Sequence, residues 1–452
     1  MTTSPLHRIV FVCLLLAMVN MIACSNQADE QGWIQHNPGD EPIVLNTDGG
    51  WCWFQDERAI LDNGTLMFGG VSTDGDITAT TYNLETGEKN VSILHAELEA
   101  DDHNAPSFLK RPDGKYLAAY SRHGTDDYMR YQVTQEAGNL SEWGAEQIID
   151  VGGEACYSNL YRLSDEGRTY NFHRGRGWDP NYMISEDDGD SWQYGGKLWE
   201  FTGRPYVRYT SNDKDKIHVV TTEAHPRDYT NSIYHGYISD GNVYRSDGNV
   251  VGELSTSDES PLEPTDLTMI FQGDEDNVAW TSSIELDKDG YPYIGYSVTK
   301  DRIERGAGGF DHRYRYARWD GTQWHDHEVA YAGSRLYPLE DEYTGLITLN
   351  PADPNMVYIS TDADPVSGEP LISEADGERH HEIFQGITKN RGKSWSWKSI
   401  TENSEVDNIR PIILADENDQ AVLWLRGEFN SYTDYNLEVV GVFSGSNGNK
   451  PL

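Results

Sequence analysis

One unit recurs seven times along this chain and constrains it more than any other feature: an apolar strand, a tight turn built from Asp, Asn, Lys or Gly, and a second apolar strand. The turns centre near Asn63 (AILDNGTLMFGG), Asp113 (FLKRPDGKYLAAY), Asp165 (LYRLSDEGRTYNF), Asp213 (VRYTSNDKDKIHVV), Lys288 (SIELDKDGYPYIGY), Ala352 (LITLNPADPNMVYIS) and Asn418 (PIILADENDQAVLW). Turn formers between Val, Ile, Tyr and Phe runs signal hairpins, and no long stretch carries the 3.6-residue apolar spacing of a helix. The repeat is about 50 residues in the first half and longer after Asp213, close to the ~40–50 residues of a four-stranded propeller blade. The expected fold is therefore all-β: a seven-bladed β-propeller of four-stranded antiparallel blades over residues 41–445, closed by pairing 42–46 with the last strand, 437–443. Tandem sandwich domains are the alternative.

Two further marks agree with a propeller. Ser185-Glu-Asp187-Asp-Gly189-Asp-Ser191-Trp192 fits the Asp-box pattern S-x-D-x-G-x-S/T-W, and Thr388-Lys-Asn390-Arg-Gly392-Lys-Ser394-Trp395 fits it with Asn in place of Asp. Such boxes tie down a turn and set a Trp between sheets; they carry no chemistry. Trp51 and Trp53 are expected to pack between blades.

The N-terminus reads as an address. Arg8 precedes an apolar run at 9–19, and Met21-Ile22-Ala23-Cys24 has the form of a lipoprotein cleavage site. Residues 1–24 are expected to be a lipoprotein signal, Cys24 the lipidated residue of a chain anchored to the bacterial cell envelope, and 25–40 a polar tether. A plain secretory signal is the alternative. With Cys13 and Cys24 assigned to the leader, Cys52 and Cys156 remain, too few for a disulfide framework. The formal charge of −40 excludes nucleic acid, whose phosphates need a basic face. An anionic substrate needs a local basic cluster.

Folding the second hairpin supplies a candidate. Opposed residues in an antiparallel hairpin have numbers of constant sum, and the turn at 112–115 sets it at about 227. His123 then faces Asn104 and stands beside His103, at the end away from the turn. The same construction brings Tyr157 opposite Arg174 in the third hairpin and Arg204 opposite Glu223 in the fourth, with Tyr206 one pleat on. Tyr161, Tyr209 and Arg208 compete for the Tyr and Arg roles, and Trp178 beside Arg174 could stack on a sugar. The set lacks the paired carboxylates of common glycosidases. It suits β-elimination on a uronic acid, in which Arg or Asn neutralises the carboxylate, His or Tyr removes the C5 proton, and a second group protonates the departing O4.

DDHNAPSF…YSRHG, followed by YSN, FHRG, RPYVRY and NSIYHGY, resembles the seven-bladed propeller polysaccharide lyases, families 24 and 25, that cleave ulvan, the sulfated rhamnose and uronic-acid polymer of green algae. The resemblance runs over roughly 50–443 and is strongest over 101–237. It implies a monomeric lyase with His103 as base or acid, His123 as its partner, Tyr157 as a second proton-transfer group and Arg174 as carboxylate neutraliser. Asn104, Arg204, Tyr206 and Tyr209 are then substrate contacts. It further implies a structural zinc ion, for which His173, Glu223, His225 and His235 are the candidate ligands. Arg302, Arg305, Arg313, Arg315 and Arg318 are read as a solvated strand face in preference to a sulfate site. A sialidase-type exo-hydrolase and a non-catalytic surface glycan-binding lipoprotein are the rival functions; the first needs an arginine triad and a Tyr/Glu pair that cannot be placed here.

Overall fold

A computed structural model of the chain describes residues 34, 36–302, 305–415 and 419–445. The leader, Cys24 and the turn at Asn418 lie outside these residues. Hairpin formation is decided at the turns: Asn63 and Gly64 take left-handed φ of 50° and 70°, the pair a type I′ connection needs to match strand twist. Ala59–Asp62 and Thr65–Val71 pair across it.

Seven antiparallel sheets follow one another, at 59–95, 107–150, 156–197, 207–271, 278–333, 347–399 and 407–445. In each, the hairpin read from the sequence forms the first two strands. Six sheets have four strands; the fourth has six, because Ile233–Ser239 pairs along its outer edge with both Asn242–Arg245 and Thr268–Phe271, and Asn242–Arg245 pairs in turn with Val250–Glu253. The seventh blade takes its fourth strand from the other end of the domain: Ile43–Asn46 pairs antiparallel with Asp434–Gly445, Ile43 facing Gly441 and Val44 facing Val440. The ring is closed as expected.

Both Asp boxes connect the third and fourth strands of their blades, the third and the sixth. Asp187 accepts hydrogen bonds from the Ser191 N–H (2.8 Å) and Ser191 Oγ (2.6 Å); Asn390 Oδ1 accepts the Ser394 N–H (2.9 Å) while its Nδ2 donates to Ser394 Oγ (2.8 Å). Gly189 and Gly392 occupy the same left-handed position, φ 96° and 90°.

The segment 51–57, WCWFQDE, touches six blades. Gln55 donates to the His103 carbonyl before blade two. Asp56 accepts from Tyr161 Oη of blade three (2.8 Å) and the Tyr209 N–H of blade four (3.0 Å). Phe54 stacks on Trp280 of blade five at 3.9 Å and Trp53 on Tyr343, ahead of blade six, at 4.4 Å. The Trp51 carbonyl accepts from Arg410 of blade seven. Only a position on the central axis reaches all of these, so Trp53 plugs the channel and does not sit between blades, while Trp51 is buried in the same core. Burial pushes the Asp56 carboxyl up to about 6 against the pull of Arg208.

Closure rests on the buried Leu45, which packs in the core with Leu423, Leu437 and Val439 of blade seven. Leu45→Ala should cost about 2–5 kcal/mol, as large-to-small core substitutions do, measured as a lower midpoint of urea unfolding; an unchanged midpoint would show that the closing strand does not contribute to stability.

Candidate active site

The site lies at the end of the ring where first strands begin and second strands finish, opposite the hairpin turns. Its floor is a single helical turn, Asp102–Asn104, capped by Asp101, which accepts the His103 N–H at 3.0 Å. Beyond it Ser107 faces Ala119, one residue out of the expected register, which sets His103 rather than Asn104 against His123. The two imidazoles stack with centroids 3.7 Å apart and planes 10° from parallel. Asp101 bridges them: Oδ1 lies 2.6 Å from His103 Nδ1 and Oδ2 2.9 Å from His123 Nδ1. His103 Nδ1 is also 2.9 Å from Asp102 Oδ1, and Asp102 Oδ2 is held at 2.6 Å by Arg410 Nη1, both buried.

The two rings are unlike. The His103 side chain is 3% exposed, and His123 covers it at 20%. Burial alone would lower the His103 pKa, but Cys52, Asp101 and the hydrogen bonds to Asp101 and Asp102 outweigh it and hold it well above the ordinary value. His123 is pushed the other way, to about 4, by burial, by the neighbouring His103 charge and by Arg174, with Asp101 opposing. The pair is thus one imidazolium behind one neutral imidazole. With Nδ1–H donated to Asp101, the lone pair of His123 is on Nε2, where Arg174 Nη2 donates to it at 3.1 Å.

Blade three supplies the facing wall. The first strand is bulged between Cys156 and Asn159, so that Cys156 and not Tyr157 faces Arg174. Tyr157 takes a left-handed φ of 63° at the bulge, which swings its ring over the Arg174 guanidinium at 4.5 Å. Trp178 lies over the same guanidinium at 4.9 Å, and Arg174 Nη1 donates to Tyr206 Oη at 3.3 Å. Arg174 has no carboxylate partner among the described residues. Burial raises the Tyr157 pKa well above its ordinary value and keeps the phenol protonated.

His103, His123, Tyr157, Arg174 and Tyr206 therefore meet. Asn104 is turned away: it is buried and donates to Glu99 Oε2 at 3.1 Å, the oxygen that also accepts the His123 N–H, so it braces the loop from behind. Tyr209 is a core residue, stacked on Phe172 at 4.6 Å. Tyr161 and Arg208 belong to the central channel around Asp56. Arg204 is half-buried within electrostatic reach of His225 and Glu340, and His225 packs edge-on to Tyr206 at 5.5 Å.

The four residues read as zinc ligands do not converge. Glu223 is spent on the Ser232 N–H and Tyr234 Oη, both at 2.8 Å. His225 Nδ1 accepts the Arg227 N–H at 3.1 Å, and His235 pairs with His218 at 3.1 Å and with Ser246 at 2.8 Å. His173 lines the cavity beside Tyr157 and Arg174. Among the described residues, the groups of three or more His, Cys, Asp or Glu with ligand atoms within 4.8 Å are Cys52–Asp102–His103 and Asp101–His103–His123, and neither contains any of the four.

Sequence reasoning missed three contributors. Asp101 was visible only as part of DDH, while Arg410 and Tyr432 come from the last blade. The Tyr432 ring stands edge-on to His103 (5.0 Å) and His123 (5.6 Å), and its carbonyl accepts the Asp102 N–H at 2.9 Å. The arginine group divides: Arg313, Arg315 and Arg318 pair with acids on blade five, whereas Arg302 and Arg305 join Arg227 near Glu340.

Comparison with known proteins places the fold. The model of a BNR repeat-containing family matches residues 68–332. No curated protein matches the chain. Among solved structures, a polysaccharide lyase named PL25 ulvan lyase, bound to -[GlcA(1-4)Rha3S]-, superposes with a TM-score of 0.64 at 16% identity, over 90% of this chain and 96% of that one. The polysaccharide lyase Uly1 superposes with a TM-score of 0.54 at 11% identity, over 93% and 95%.

Nuclear magnetic resonance titration of the ring carbons should find His103 protonated through neutral pH and His123 neutral until the pH falls to about 4. The folded state binds the His103 proton more tightly than the unfolded chain, so that contribution to stability is present below the ordinary imidazole pKa and lost as pH rises through the raised folded value. The His123 contribution runs oppositely, lost as pH falls from the ordinary value through about 4. Asp101→Asn should bring the His103 pKa down; a value that stays raised would remove Asp101 as the cause.

Proposed function

The chain belongs to the BNR repeat-containing family, and on that scaffold we propose that it is a polysaccharide lyase that cleaves ulvan by β-elimination at the uronate. The observation that carries the reading is the stacked His103–His123 pair on Asp101, with a carboxylate-free arginine against its open nitrogen. The fold shared with lyases, one of them bound to a glucuronate–rhamnose-sulfate oligosaccharide, supports it.

The steps follow from the geometry. The uronate carboxylate takes the Arg174 guanidinium, which acidifies C5–H and uncaps His123 Nε2. His123, neutral near pH 7, removes the C5 proton. The C4–O4 bond breaks as the C4=C5 double bond forms, and the Tyr157 phenol, held protonated by burial, gives its proton to O4. His103 and Asp101 act through His123: the carboxylate fixes its tautomer, and the buried imidazolium behind it balances the Asp101 charge. A lipid anchor at Cys24 would hold the enzyme at the cell envelope.

Purified protein incubated with ulvan should generate the ultraviolet absorbance of unsaturated uronate; no gain with ulvan or other uronate polymers overturns the reading. His123→Ala should lose about 10²–10⁴-fold in rate, the range of general acid–base catalysis. Full activity in the His103→Ala/His123→Ala double variant would refute the site assignment.

A further inference from the structure

The two Asp boxes have the same backbone and opposite charge. In the blade-three box the three variable positions are Glu186, Asp188 and Asp190; in the blade-six box they are Lys389, Arg391 and Lys393, and the anchoring Asp is Asn390. The backbone hydrogen bond from Ser191 or Ser394 and the glycine conformations coincide, and Asp188 and Arg391 share a left-handed φ of 57° and 60°. The turn itself therefore does not require these charges.

The basic turn borders a shallow, solvent-open pocket lined by Arg318, Trp319, Asp320, His325 and His327 of blade five with Arg391 and Lys393 of blade six. Two of its cations have no carboxylate partner among the described residues. Arg391 and Lys393 are exposed and make no ion pair or hydrogen bond through their side chains. Arg318 Nε and His327 Nε2 are buried atoms without a partner, although Arg318 Nη2 is paired with Asp287 at 2.9 Å. The one carboxylate in the lining, Asp320, is consumed by its own turn and by His325 Nε2 at 2.7 Å. In a chain of net charge −40, two unpaired cations, Arg391 and Lys393, set beside the partly satisfied guanidinium of Arg318 at one pocket mark an anion site.

We infer that this cavity is a second, non-catalytic binding site for an anionic polysaccharide, its cations holding a sulfate or carboxylate and Trp319 with the arginine stems forming the apolar wall. Nucleic acid would need a longer basic track, and an anionic membrane a cluster of about four to eight Lys and Arg. Third-to-fourth strand turns share the face of the hairpin turns, so the site lies on the side of the ring away from His123. A polymer held there leaves the elimination site open. The site goes beyond the lyase reading and does not depend on it.

Affinity electrophoresis of the full chain through gels containing dextran sulfate, which has no uronate to be eliminated, tests this. Arg391→Asp/Lys393→Asp copies the acids at 188 and 190, so the turn is preserved. The variant should bind dextran sulfate about tenfold more weakly than the parent, with an unchanged melting temperature. Lys214→Asp/Lys288→Asp makes the same charge change at exposed turns on the same face and should bind as the parent does; neutral dextran should retain none of the three. Equal affinity of the parent and Arg391→Asp/Lys393→Asp, or an equal loss in the Lys214/Lys288 control, overturns the site. Retention by neutral dextran overturns its anion preference, and complete displacement of the polymer by millimolar inorganic sulfate reassigns it to a free ion.

Discussion

The molecule depends on one seven-residue segment on its axis. Residues 51–57 meet six blades through hydrogen bonds and ring contacts, and the aromatic cluster of Trp53, Phe54, Tyr206, Trp280 and Tyr343 fills the centre on which the first strands converge. The reacting groups are built onto this axis. Gln55 holds the carbonyl of His103, and Arg410, which also donates to the Trp51 carbonyl, fixes Asp102 through a buried ion pair. Breaking such a pair on one side leaves an uncompensated buried charge, so its geometry is strongly enforced. A histidine on a surface loop would wander; this one is held from beneath.

The site is also an electrostatic solution to a global problem. A chain this acidic repels anions at long range, so recognition has to be local and desolvated. Arg174 lies in a sleeve of aromatic rings, Tyr157, Trp178 and Tyr206, with no acid to neutralise it. Rings stabilise the cation through their faces without cancelling its charge. Asp101, the acid closest to the reacting groups, is already shared by two imidazoles.

Much of this was legible in the chain because hairpins are local. Turn chemistry gave the blade count, the closing strand and the convergence of His103 with His123, and constant-sum pairing was right to within one residue. It failed where pairing is irregular. The bulge after Cys156 carries no residue-level signal, yet it aims Tyr157. Asn104 and Tyr209 have plausible chemistry and the right neighbourhood, but which way each side chain points depends on a helical turn in one case and on the pleat in the other. The candidate zinc ligands lie apart for a related reason: His235 is on the third strand of blade four, opposite Val220, and its ring is engaged with His218 and Ser246. Arg410 and Tyr432, more than 300 residues from the histidines they support, could not be found from local pattern at all.

The closing strand carries a consequence for how the protein is made. Residues 43–46 are made before any blade and have no sheet to join until residues 434–445 have followed. Until then the nascent ring is a gapped arc with two unprotected sheet edges, a template for pairing with other chains. The ring therefore closes only once the last strand of blade seven has been made, and a chain stalled before blade seven has six complete blades and no circle.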